Sequence, residues 1–215
     1  GRAPGQAAEA DPGLTERGHE QADVLGERLS AELADVAGLS QLLVVSSPMR
    51  RCLLTIRPTL QRLASSLRPG SCLCHGGAFE YGCAGLGFRG TPLREVSQEF
   101  PDFQPVGFSA DGVWDYQGES FKENQDECRE RALRFAEWLR SEATKARTVV
   151  LVTHQTFGDL LCQVLLDGTG SQWSYGEVKH RMRNVSMTEV FLQPNGYARL
   201  GCENPLPPES ARQAN

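Results

Sequence analysis

Two rhythms of apolar and polar residues alternate along this 215-residue chain. Val149-Val150-Leu151-Val152 and Leu42-Leu43-Val44-Val45 are unbroken, largely β-branched apolar runs. Their length and composition fit strands buried on both faces, as in a parallel sheet. Residues 71–81 read as a further strand, ending near Ala78-Phe79-Glu80. The other rhythm is helical. Thr15 suits an N-cap and Glu16 a first turn, and Ala22, Leu25, Leu29 and Leu33 recur at helical spacing, predicting a helix to about Ala37. Pro48 suits a first helical position, and Ile56, Leu60, Leu63 and Leu67 carry that second helix past a kink at Pro58. Ser120 and Glu123 have capping-box spacing and open a long helix to about Lys145, with Cys128, Ala132, Phe135 and Leu139 on its buried face. Residues 156–166 predict another helix directly after the 149–155 stretch.

The connections are equally patterned. Residues 82–118 are rich in Gly, Pro and aromatics and read as a long excursion over the sheet edge, with one short helix near 93–100. Residues 168–183 read as a polar loop, and 186–192 with 197–200 as a final hairpin through Pro194-Asn195-Gly196. Residues 1–13 are loop-like, and 205–215 form a tail beyond one domain spanning 1–204. No internal repeat or second domain is visible. Alternating strands and helices place the chain in the α/β class.

Ligands of open α/β sheets sit outside the carboxyl ends of the strands. His154 follows the apolar run at 149–152, where it serves either general acid–base and anion-binding chemistry or merely the turn. Arg50 and Arg51 fall on the first turn of a helix after the 42–45 run, where free N–H groups attract anions. Arg51 reads as a phosphate contact and Arg50 as a solvated helix start. Glu80, at the end of the 71–81 segment, reads as an acid–base candidate or an exposed loop carboxylate. His19 and the Lys179-His180-Arg181-Met182-Arg183 cluster read more simply as solvated surface.

A net charge of −5 argues against bulk nucleic-acid binding. No apolar run approaches the roughly 20 residues that span a bilayer. The seven cysteines mostly sit in apolar runs and read as reduced, buried side chains of an intracellular protein, in the cytoplasm or an organelle. Cys72-Leu73-Cys74-His75 is weak evidence for a metal, since strand alternation sends Cys72 and Cys74 to one face and His75 to the other.

Six segments, in order, resemble the histidine phosphatase superfamily, the phosphoglycerate mutase-like fold. Asp11-Pro12-Gly13-Leu14-Thr15 through Gln21-Ala22 looks like the family's D-x-P-L-T-x-x-G-x-x-Q-A, and Ser46-Ser47-Pro48-Met49-Arg50-Arg51 through Thr55 its S-S-P-L-x-R-A-x-Q-T. Phe79-Glu80-Tyr81-Gly82, Gly118-Glu119-Ser120, Val152-Thr153-His154-Gln155 and Asn184-Val185-Ser186 resemble four later segments. The resemblance implies a three-layer α/β/α sandwich with a mostly parallel central sheet. It implies a phosphomonoester hydrolase acting through a phosphohistidine on a phosphorylated small molecule or phosphoprotein, with no cofactor and no metal. It assigns Arg51 to phosphate binding, His154 to the second histidine and Glu80 to proton donation. Gln155 stands where the family has glycine, as a further phosphate contact or a group narrowing the pocket.

The family's nucleophile belongs to an Arg-His-Gly at the end of the first strand, and this chain has no such motif. Gly1 is the candidate glycine, which gives the expectation of a longer protein whose upstream piece supplies the strand and the nucleophile. The rival expectation is a catalytically inactive member serving as a binding or structural subunit. A mutase uses the same residues and stays open, as does a homodimer or membership of a larger assembly.

Overall fold

The computed structural model describes residues 11–34, 41–146, 148–193 and 196–204. The tail at 205–215, the predicted helix end at Ala37, the turn residues Pro194 and Asn195, and Gly1 lie outside that set. Element order is α1 (Glu16–Ala34), β1 (Leu42–Ser46), α2 (Arg50–Leu63), β2 (Cys72–His75), α3 (Leu93–Glu99), β3 (Gln104–Val106), α4 (Gln125–Lys145), β4 (Thr148–Val152), α5 (Gln155–Asp167), β5 (Met187–Leu192) and β6 (Ala198–Asn204).

The central sheet is parallel, in the order β3-β2-β1-β4. Strand alternation divides the core into two layers. Leu42 and Val44 join Leu25, Leu29 and Leu33 of α1 and Leu53, Ile56 and Leu60 of α2. Leu43 and Val45 face the other way, onto Ala132, Phe135 and Leu139 of α4 and Phe157, Leu160 and Leu161 of α5. The result is the three-layer α/β/α sandwich. Close approach of α1 to α2 rests on Gly26, where a Cβ would run into Pro58. The final hairpin forms a separate antiparallel sheet of β5 and β6. No helix among the described residues is long and apolar enough to cross a membrane.

Several elements differ from their sequence readings. The third strand stops at His75, four residues long, and residues 76–81 run on as turn and loop towards Glu80. The excursion holds an extra edge strand, β3. The long helix starts at Asn124 rather than Ser120: the Asn124 side chain accepts from the Glu127 N–H at 3.0 Å, and the Glu127 carboxylate accepts from the Asn124 N–H at 2.9 Å. Helix α2 begins at Arg50, two residues after Pro48. Strand β4 is only half-buried at all five positions, unlike β1, which is buried throughout. Among the described residues β4 pairs with β1 alone, so its other edge carries no ladder.

Candidate active site

Four segments converge at the carboxyl ends of the parallel strands. Ser47 follows β1, Arg51 lies on the first turn of α2, His154 is the N-cap residue of α5, and Glu80 stands beyond β2. Met49, the N-cap residue of α2, has no capping side chain of its own. A distant carboxylate takes that place. Both oxygens of buried Asp11 accept from the Arg50 N–H, at 3.2 and 3.3 Å, and Asp11 also accepts from Thr91 Oγ1 at 2.7 Å. Burial pushes the Asp11 carboxyl above its ordinary range, against the pull of these bonds and of Arg51 and Arg50.

His154 is buried, and both of its ring nitrogens are engaged. Arg51 Nη2 lies 3.1 Å from Nδ1, and Ser47 Oγ 2.8 Å from Nε2. A guanidinium can only donate. Nδ1 must therefore be the acceptor, which leaves the proton on Nε2, facing Ser47. The same logic excludes Ser47 as a serine nucleophile: a base needs a bare nitrogen towards the hydroxyl, and Arg51 claims the only one. Burial holds His154 well below the usual histidine range, and the charges of Arg51 and Arg131 add to the effect. The ring is thus a neutral donor. Cys52 packs against it, its Sγ 3.5 Å from Nε2, and burial pushes that thiol up to about 12.

Glu80 is tied to the same helix end. Its Oε1 accepts from the N–H groups of Tyr81 at 2.8 Å and Phe157 at 2.9 Å, and its Oε2 from Thr156 at 3.2 Å. The carboxyl group therefore sits on the free amides of α5, one turn from His154. Gln155 turns to the polar loop. Its Nε2 donates to the His180 carbonyl at 3.2 Å, and its Oε1 accepts from the Met182 N–H at 2.6 Å. Asp159, one turn on, accepts from the N–H groups of Lys179 and His180. Gly158 leaves room for Met182, whose sulfur would meet a Cβ there. The basic cluster is thereby moored beside the site, with Lys179, Arg181 and Arg183 exposed.

The structure thus brings Arg51 and His154 into contact, sets Glu80 beside them through the first turn of α5, and uses both ends of the Gln155 amide on a loop. Ser47, Cys52 and Asp11 were not singled out in the sequence. They lie inside the motif segments, but an individual role is not legible there, for each acts on a partner 39 to 107 positions away. Cys72 and Cys74 face the α1–α2 layer. His75 faces the other, its ring packed against those of Phe135 and Trp138. No group of three or more His, Cys, Asp or Glu among the described residues is placed to hold a metal ion.

A parallel sheet between two helical layers, with Arg51 and His154 in contact at its strand ends, is the architecture, and a sequence profile assigns it to a family. Residues 2–204 match the histidine phosphatase superfamily (branch 1), and the chain belongs to that family. No curated protein sequence matches it significantly. Among solved structures it is similar to the ecdysone phosphate phosphatase of Bombix mori in complex with tungstate, with a TM-score of 0.61 and 19% identity over 91% of this chain and 74% of that one. It is also similar to the alpha-ribazole phosphatase of Shigella flexneri, with a TM-score of 0.57 and 22% identity over 89% and 84%. A mycobacterial glucosyl-3-phosphoglycerate phosphatase gives a TM-score of 0.56 and 20% identity over 90% and 87%. At these identities the likeness is one of fold.

Proposed function

We propose that this chain carries the phosphate-binding and proton-donating half of a phosphomonoester hydrolase. The nucleophilic histidine lies on a strand upstream of Gly1. The observation that carries the reading is the partly buried Arg51–His154 contact of 3.1 Å at converging strand ends, with Glu80 held on the same helix end. Arg51 and the neutral His154 donate to the equatorial oxygens of the transferring phosphoryl group, Nε2–H leaving Ser47 to do so. The upstream histidine attacks phosphorus in line, and its new N–P bond forms as the bond to the leaving oxygen breaks. Glu80 gives that oxygen its proton. Water then hydrolyses the phosphohistidine. The unladdered, half-exposed edge of β4 supports the upstream strand. Val190 and Leu192 pack on the same core layer as Val149 and Leu151, and Met187 on that of Val150 and Val152. A strand set between β4 and β5 would pair both edges and extend both layers. The substrate is a phosphorylated small molecule or phosphoprotein.

The second reading, a binding or structural subunit, is favoured by Gln155, which stands where the family has glycine and commits its amide to the backbone of His180 and Met182. The residue preceding Gly1 in the native protein separates the two readings. In the native full-length protein, Arg51→Ala and His154→Ala are each expected to lower turnover of a phosphomonoester by about 10²-fold or more. Turnover near wild type in both variants would sink the hydrolase reading.

A further inference from the structure

A buried ion pair brackets Glu80 from both sides. Arg131 and Glu123 are 2% and 1% exposed, and they meet in a fork: Nε to Oε1 at 2.7 Å and Nη2 to Oε2 at 2.8 Å. The remaining donor, Nη1, grips the chain ahead of Glu80 through the carbonyls of Gly77 at 2.8 Å and Phe79 at 3.0 Å. Glu123 grips the chain behind it. Its carboxylate accepts from the Gly82 N–H at 3.2 Å, and its own N–H donates to the Ala84 carbonyl at 2.8 Å. The guanidinium also stacks between two rings, 3.6 Å from the Phe79 centroid and 4.3 Å from that of Phe157. Phe79 precedes Glu80 in the chain. Phe157 gives Glu80 one of its N–H bonds. Apart from the Cys128 thiol on α4, 3.5 Å from Nη2, these contacts of the pair fall on the segment that carries Glu80 or on the helix end that receives it.

Stability alone does not account for the arrangement. Desolvating two charges costs as much as their attraction returns, and well-packed apolar residues of similar volume do as well or better. A planar five-donor fork between two rings supplies geometry that apolar residues cannot. We propose that Arg131, held by Glu123, is a positioning residue that fixes the Glu80 carboxylate against the first turn of α5 for proton transfer. The inference rests on the hydrolase reading for its chemistry, but the positioning can be read without turnover.

The test uses the native full-length protein and the double variant Arg131→Met/Glu123→Leu, which removes both charges at similar volume, with the β1 amides reporting that the fold is kept. Amide exchange of Tyr81, Thr156 and Phe157, the three donors to Glu80, is measured by NMR against Val44 and Val45 of β1. The expected result is exchange faster by about tenfold or more at the three donors, with β1 unchanged. Turnover is expected to fall by about 10²-fold with little change in KM, the scale a positioned general acid supplies. The same double substitution in a Glu80→Gln background is expected to cost nothing further. Arg131→Lys, which keeps the charge and loses the fork, should behave like the double variant. Unchanged exchange at the three amides, or a turnover loss that simply adds to that of Glu80→Gln, would overturn the proposal. A wild-type protein with neither turnover nor Arg51-dependent binding of inorganic phosphate sinks the hydrolase reading instead, and the exchange measurement still reports on Arg131.

Discussion

At the residue scale, burial lowers the pKa of both buried histidines, and only the neighbouring charges differ. His75 Nδ1 accepts from the Gly77 N–H at 3.0 Å, and the ring packs in a mutual cluster with Phe135 and Trp138. Burial pushes its pKa down to about 4, with Asp115 opposing and Arg131 assisting. The unfolded chain binds this proton near pH 6.5 and the folded chain only near 4. Stability from His75 is therefore full above pH 6.5 and is lost as pH falls towards 4, in all by roughly 3 kcal/mol. His154 adds a loss of the same sign. Denaturant midpoints measured from pH 7 to 4 are expected to fall, and His75→Gln to flatten that slope. An equally steep slope in the variant would show that His75 is not its source. Thiol reactivity follows the same environment. Of the six described cysteines, Cys83 alone is not fully buried, and it should react first with a thiol reagent at neutral pH. Mass mapping after brief alkylation checks this.

At the scale of elements, the α4 cap is the sharpest case. The Glu127 carboxylate accepts from the N–H groups of Asn124, Glu119 and Ser120 and from the Tyr116 hydroxyl, so it ends the 115–120 loop and starts the helix together. Asn124→Ala is expected to lower unfolding stability by about 1 kcal/mol, read from the denaturant midpoint. A wild-type midpoint would show that Glu127 caps alone. Sequence pattern located β1, β4 and α5 because each is a continuous apolar run or stripe. It missed β3 because two of its three residues are exposed and the middle one is proline, so no burial pattern is written there. It misplaced the α4 cap because Ser120/Glu123 and Asn124/Glu127 share one spacing. Glu123 was already committed to Arg131, a tertiary contact invisible in the pattern. Strand ends exposed Arg51 and His154 to sequence reading. The Ser47–His154 contact spans 107 positions, and the Gln155 amide finds its partners 25 and 27 positions on.

At the scale of the whole molecule, the two sheets share both core layers without sharing a ladder among the described residues. A parallel strand paired on one side only leaves every second N–H unpaired. Alternate amides of β4 are therefore expected to exchange fast in this chain, with the others protected by β1. In a longer protein that supplies the upstream strand, all five should be protected. Uniform protection in the present chain would mean that the outer edge is already covered.

The register of the central pair also sets a timetable. Leu42 pairs with Thr148, a partner 106 positions downstream. During synthesis at about 5–20 residues per second, β1 emerges roughly 5–20 s before β4 exists. Helices α1 and α2 can dock on each other in that interval, because their contacts are local. The Arg51 half of the candidate site is thus assembled early on the ribosome, and His154 arrives late. Slowing translation between codons 64 and 148 is expected to lengthen the life of a half-built sheet and to raise its capture by chaperones.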